Sequence, residues 1–213
     1  MKTKNEIRKE ILNIRNNLNA EIAEQKSRII IDKIKYTEEY KNSKSIMVYM
    51  DFKNEVSTKA FITEALAEGK KVIIPYTNTE KIQIIPVEIN SLDDLVLCKF
   101  GYLEPKKEAL NNPYDIEKIE LIIVPGVAFD KRKNRIGFGK GYYDKFLRNR
   151  NAYEKNSTEN LNAKEINEAA LVKETILAKA FALAYEFQVF EEIPAEEHDI
   201  KMDKIFTEEN IYS

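Results

Sequence analysis

The sequence predicts an α/β fold in one domain over residues 1–213: a central, mainly parallel sheet flanked by helices, with an N-terminal helical arm. Three observations carry this prediction. Apolar runs of strand length occur at SIMVYM (45–50), KVIIPY (71–76) and LIIVPG (121–126). A helical pattern fills the gap between the first two, and such alternation implies parallel strands joined by a crossover helix. The chain, 213 residues and 43% hydrophobic, is long enough to bury one substantial core.

In chain order, Ile7, Ile11, Ile14 and Leu18 fall at helical spacing, and after Asn19 a second pattern carries Ile22, Ile29, Ile30 and Ile34. Two amphipathic helices therefore lead in. SIMVYM is a short buried strand, VSTKAFITEALAEG (56–69) a helix closed by a glycine, and KVIIPY the next strand. A further strand, IQIIPVEI (82–89), precedes a loop region holding GYLEP (101–105). LIIVPG is again a buried strand, and GYYDKFLRNR (141–150) starts a helix. Residues 151–174, rich in Asn, Glu and Lys, read as a polar surface insertion. ILAKAFALAYEF (176–187) suits a central strand, followed by an irregular acidic tail.

Composition excludes several function classes. Thirty-four Lys and Arg against 36 Asp and Glu leave a formal charge of -2, without the positive field of a nucleic-acid binder. Cys98 is the single cysteine and His198 the single histidine, so neither an intramolecular disulfide nor a Cys/His zinc site is expected. A reducing, cytoplasmic home follows as an expectation. The first residues contain no apolar signal core, and LIIVPGVAF (121–129) falls far short of the ~20 residues that span a bilayer. The expected protein is soluble, with no membrane partner.

Chemistry concentrates after the LIIVP strand. Of six glycines, Gly126, Gly137, Gly139 and Gly141 lie in one short stretch. Glycine lets backbone approach a ligand closely and adopt positive φ, so RIGFGKGYYD between a strand and a helix is a candidate phosphate cradle, charged by Arg135 and Lys140. A flexible loop with convenient glycines is the other reading. The segment is neither a P-loop nor a GxGxxG fingerprint. Asp144, after the loop, and Asp199, in HDIKMD, are two carboxylates able to hold magnesium against phosphate oxygens, or else a helix-start residue and an exposed acid. Glu55 lies at the carboxyl end of a strand, where open α/β sheets place ligand groups, or is a solvated turn residue. Lys4 and Arg8 share a helical face, by default a solvated one. Tyr142 and Tyr143 either pack on the core or stack on a flat ligand. His198 has no sequence partner and reads as a surface residue.

Taken in order, KNEIRKEI, YMDFKNEVSTKAFI, GKKVIIP, GYLEP, LIIVPGVAFDKRKNRIGFGKGYYDKFL and ALAYEFQVFEEIPAEEHDIKMDKIFTE resemble the 5-formyltetrahydrofolate cyclo-ligase (methenyltetrahydrofolate synthetase) family across nearly the whole chain. The central PGVAFD…RxGxGKGYYD stretch is the specific part. Ser57 stands where relatives often carry an acid, and Phe100 where many carry tryptophan.

The resemblance implies an ATP- and magnesium-dependent enzyme that closes 5-formyltetrahydrofolate, with or without a polyglutamate tail, to 5,10-methenyltetrahydrofolate. It implies that Lys4, Arg8 and the loop Arg135, Ile136, Gly137, Phe138, Gly139, Lys140, Gly141, Tyr142 and Tyr143 contact ATP. Met50, Glu55 and the segment Phe138, Gly139, Lys140, Gly141 and Tyr142 would contact the folate. Lys140 and Arg135 would be catalytic, and Asp144 and Asp199 would hold Mg2+. A monomer is expected. Two other readings stand: an α/β enzyme using the loop as an anion site for another phosphate ligand, and a non-catalytic folate- or nucleotide-binding protein.

Overall fold

The computed structural model describes residues 2–148, 178–196 and 199–213, so the predicted insertion at 151–174 and His198 lie outside the described residues. Helix α1 (Lys4–Asn16) starts at a capping box in which Thr3 and Glu6 satisfy each other's backbone N–H groups. Asn19 caps α2 (Ala20–Lys35) by accepting from Glu21 N–H and Ile22 N–H. A short α3 (Glu38–Asn42) leads into β1 (Ser45–Met47), and α4 (Lys59–Ala67) crosses to β2 (Lys71–Asn78). Then follow β3 (Gln83–Ile89), the hairpin β4 (Leu95–Leu97) and β5 (Leu103–Pro105), β6 (Leu121–Val124), β7 (Ala128–Asp130) and β8 (Arg135–Ile136). Residues 142–148 form helix α5. The chain resumes with β9 (Lys179–Leu183), β10 (Val189–Phe190), β11 (Lys204–Phe206) and β12 (Ile211–Tyr212).

The main sheet has the order β12-β11-β9-β6-β1-β2-β3. Its five inner strands are parallel; only β3 and β12, at the edges, run antiparallel to their neighbours. The mainly parallel sheet predicted from the sequence is what the structure shows. Side chains alternate across it: Ile46, Val72, Ile74, Leu121, Ile123, Phe181 and Phe206 face α2 and α4, while Met47, Ile73, Ile122, Ala180 and Ile205 face α5 through Phe146 and Leu147. A parallel sheet covered on both faces requires such continuous apolar strands. A second sheet, β10-β7-β8, packs against α1 through Ile7, Ile11, Val127, Ala128 and Ile136. Among the described residues no helix is long and apolar enough to cross a membrane.

Three expectations need correction. The acidic tail is not irregular: it supplies β10, β11 and β12, and β11 joins the parallel core beside β9. The GYLEP region carries β5 rather than loop alone. The N-terminal helices form as predicted and both bury a face in the body, but the faces differ from those predicted. Ile14, Ile22 and Ile29 are 41–47% exposed, while Arg15, Ala23, Ser27, Ile30 and Ile34 are buried.

The chain leaves β1 toward β2 in one direction, whereas β6, β9 and β11 are laid down in the other. The sheet order therefore reverses between β1 and β6, and the crevice at their carboxyl ends is where open α/β sheets receive ligands.

Candidate active site

The carboxyl ends of three adjacent strands converge there. After β1 the chain runs through Met50 and Asp51 to Glu55, whose side chain is 8% exposed and accepts from Phe52 N–H at 3.0 Å. After β9, the Tyr185 hydroxyl donates to the Glu55 carbonyl at 3.2 Å. After β6, the Pro125 carbonyl accepts from Arg135 Nη1 at 3.2 Å, and Gln188 Nε2 donates to the Val127 carbonyl at 2.8 Å. Arg15, Tyr49, Glu55, Gly126 and Gln188 line a narrow gap between these strand ends.

Glu55 is the electrostatic centre of this end. Burial pushes its carboxyl up to about 7, against the opposing pull of the Arg15 cation and the Phe52 N–H, and with Asp51 adding to the rise. Arg15 Nη1 lies 3.7 Å from Glu55 Oε1, and its guanidinium sits 5.4 Å from the Phe138 ring centroid. Burial raises the Tyr143 hydroxyl too, and that oxygen has no hydrogen-bond partner among the described residues.

The glycine loop runs from β8 to α5, between strand and helix as predicted. Ile136 is buried and ties the start of the loop to α1. A Cβ at Gly137 would lie 2.7 Å from Arg135 Nη1, so a side chain there would displace the end of that arginine. Gly139 and Gly141 hold φ of +91° and +69°, the left-handed region that other residues enter at a cost. Phe138, Gly139, Lys140 and Gly141 are exposed, and Tyr142 and Tyr143 are half-buried against the α5 face of the core.

Helix α1 docks on this loop. Arg8 Nε donates to the Gly137 carbonyl at 2.8 Å, and Lys4 Nζ donates to Asp199 at 2.8 Å and to Glu196 at 3.1 Å. Burial opposes the Lys4 charge, yet these acids hold its pKa above the ordinary value. On the other side of the loop Arg135 Nη2 pairs with Asp144 Oδ1 at 2.6 Å. Two cation–carboxylate pairs, Lys4–Asp199 and Arg135–Asp144, thus accompany the loop that Arg8 bonds. Among the described residues no three His, Cys, Asp or Glu side chains form a metal-ligating group. The donor set suits magnesium, which takes one or two carboxylates and completes its shell with water and phosphate oxygens.

A model of the 5-formyltetrahydrofolate cyclo-ligase family matches residues 1–208. The chain belongs to that family. It is 32% identical, over 81% of its length and 79% of the relative's, to a Schizosaccharomyces pombe protein named "Probable 5-formyltetrahydrofolate cyclo-ligase". A Mus musculus 5-formyltetrahydrofolate cyclo-ligase is 27% identical over 91% of this chain and 87% of its own. The solved structure of an Aquifex aeolicus 5,10-methenyltetrahydrofolate synthetase superposes with a TM-score of 0.74 at 32% identity, covering 98% of this chain and 91% of that one.

Within this cyclo-ligase fold, the structure gathers the sequence candidates into two groups. Arg8 bonds the glycine loop at Gly137, Arg135 at its start pairs with Asp144, and Lys4, one turn before Arg8 on α1, pairs with Asp199, while Glu55 lies next to Arg15, which carries the Phe138 ring. Met50 is half-buried against the core cluster on the α2 and α4 face. The bland readings fail for Glu55, which is not a solvated turn residue, and for Lys4 and Arg8, whose face is docked rather than free. Arg15 escaped the sequence reading altogether. A signal existed: Ile7, Ile11 and Arg15 follow at i+4 steps on one buried stripe, and a charge on such a stripe requires a partner.

Proposed function

We propose that this cyclo-ligase family member couples ATP cleavage to closure of 5-formyltetrahydrofolate, giving 5,10-methenyltetrahydrofolate, ADP and phosphate. The observation that carries the reading is the position of the glycine loop. Its Gly137 carbonyl meets Arg8 of α1, its first residue Arg135 pairs with Asp144, and its Phe138 rests on Arg15 beside the buried Glu55.

The chemistry requires such a bridge. The N5-formyl carbon is amide-like, and its oxygen leaves poorly. In this reading the formyl oxygen attacks the γ-phosphorus, ADP departs, N10 adds to the activated carbon and loses its proton, and phosphate leaves, carrying the former formyl oxygen and able to take that proton, to give the methenyl cation. Lys140 and Arg135 stabilise the charge that develops on the transferring phosphoryl group, by position rather than by covalent attack. Arg8 and Lys4 hold the nucleotide's other phosphates beside the open loop. Asp144 and Asp199 would hold magnesium, which supplies further neutralisation of phosphate charge. Glu55, with Met50 beside it, orients the pterin by accepting from its N–H groups, a task that favours the ionised carboxylate.

We take the enzyme to be a cytoplasmic monomer acting on folate with or without a polyglutamate tail. The single cysteine, Cys98, supports the reducing setting. The test is absorbance in the methenyltetrahydrofolate band after mixing protein with 5-formyltetrahydrofolate, with and without magnesium–ATP. A rise that needs both ATP and magnesium supports the reading. No rise with well-folded protein overturns it in favour of a non-catalytic binding protein or another phosphate ligand.

A further inference from the structure

We infer that Arg15 is a positioning residue of the folate end, holding Glu55 and Phe138 in the arrangement that receives the pterin. The inference rests on the proposed function and adds a residue to it.

An arginine at 1% exposure is costly unless its charge is matched. At this point on α1 the stripe of Ile7 and Ile11 would be continued more cheaply by an apolar residue. The charge is not consumed by a tight structural bridge either. The 3.7 Å gap to Glu55 is longer than a hydrogen bond, and Arg15 Nε has no hydrogen-bond partner among the described residues. What Arg15 does touch is one residue from each segment assigned to the folate. Glu55 comes from the loop after β1, and the half-exposed Phe138 from the glycine loop, with its ring resting on the guanidinium. A planar cation can serve both at once, opposing a carboxylate at its edge and carrying an aromatic ring on its face.

The groups facing Glu55 are Arg15 from α1, Asp51 and the Phe52 N–H from its own loop, and the hydroxyls of Tyr49, just after β1, and Tyr143 from α5. Arg15 is the cation of this set. It also sits on the helix that presents Lys4 and Arg8, roughly 16 and 10 Å further along the axis at 1.5 Å per residue. One rigid helix therefore sets the spacing between the nucleotide cations and the folate carboxylate.

The experiment compares full-length Arg15→Met and Arg15→Lys with wild type. It reads KM for 5-formyltetrahydrofolate, KM for ATP, and the pH profile of kcat/KM for the folate. Arg15→Met is expected to raise the folate KM about tenfold or more and leave the ATP KM within about twofold, the scale of a lost charge-assisted contact. Its acidic limb should move to higher pH, because loss of the cation disfavours the Glu55 carboxylate further. Arg15→Lys should restore that limb while leaving the folate KM raised severalfold, since an ammonium offers Phe138 no planar face.

A folded Arg15→Met with wild-type folate KM and limb overturns the inference. Should that variant not fold, Arg15→Lys decides: a raised folate KM with unchanged ATP KM supports positioning, and wild-type constants overturn it. Failure of both variants to fold assigns Arg15 a purely structural role and likewise overturns it. The underlying reading fails differently, by absence of ATP-dependent turnover in wild type or an unchanged folate KM in Glu55→Gln.

Discussion

At one end of the cleft Lys4, Asp144 and Asp199 keep 24, 25 and 15% of their side-chain surface exposed; at the other, Arg15 and Glu55 keep 1 and 8%. The first end works with screened, wet charges beside an exposed run of glycines, which suits a ligand that brings several negative charges and a hydrated ion. The second works with desolvated groups whose protonation is moved by burial, which suits a flat ligand recognised by a few directed hydrogen bonds. Arg135 belongs to the first end but is itself buried, gripping the Pro125 carbonyl at the tip of β6 and Asp144 at the start of α5. It anchors the wet end to the sheet.

The largest effect should come from the cation of the loop. Lys140→Ala is expected to lower kcat about 10²- to 10³-fold, in line with loss of one transition-state donor, with circular dichroism unchanged because the residue is exposed. Wild-type turnover would remove Lys140 from the reaction. Next, Glu55→Gln should raise the folate KM roughly tenfold to a hundredfold, the range for a lost hydrogen bond to a charged group. Asp144→Asn should raise the magnesium concentration for half-maximal rate about tenfold, read by titrating the metal at saturating ATP.

The buried end also makes a stability prediction. Because the folded-state pKa of Glu55 is raised from 4.5 to about 7, the native state holds this proton more tightly than the unfolded chain. The stabilisation is complete below pH 4.5 and is lost as the pH rises through about 7, up to about 3 kcal/mol in all. Melting temperatures of wild type and Glu55→Gln, taken from pH 5 to 8, should therefore diverge in favour of the variant as the pH rises. A constant difference would mean that Glu55 does not titrate in this window.

Much of the fold was legible because its signals are local. The apolar strands at 45–50, 71–76 and 121–126 and the glycine run announce themselves within a few residues. β11 and β12 did not, because strands of three and two residues among polar neighbours carry no period, and their place is set by pairing with β9 and with each other. Apolar residues alone misjudged the buried faces of α1 and α2: Ile14 and Ile29 look outward while Arg15 and Ser27 look inward, held by Glu55 in one case and by the Ala23 carbonyl in the other. The glycine-loop half of the site was readable as a cluster. The identity of Glu55's partner was not, since α1 and the loop after β1 meet only in the folded chain.

The smallest of these effects should appear at Ile14, where the sequence misled. Ile14→Ala is expected to change stability by no more than about 0.5 kcal/mol, whereas Ile30→Ala, fully buried, should cost about 2–5 kcal/mol in a urea titration.

The separation of the two ends is tested most directly by a crossed measurement of both Michaelis constants in Lys4→Ala and Glu55→Gln. Lys4→Ala should raise the ATP KM and leave the folate KM within about twofold, and Glu55→Gln should do the reverse, each consistent with loss of one charge-assisted contact. Equal shifts of both constants in both variants would contradict the division of the cleft into a nucleotide end and a folate end.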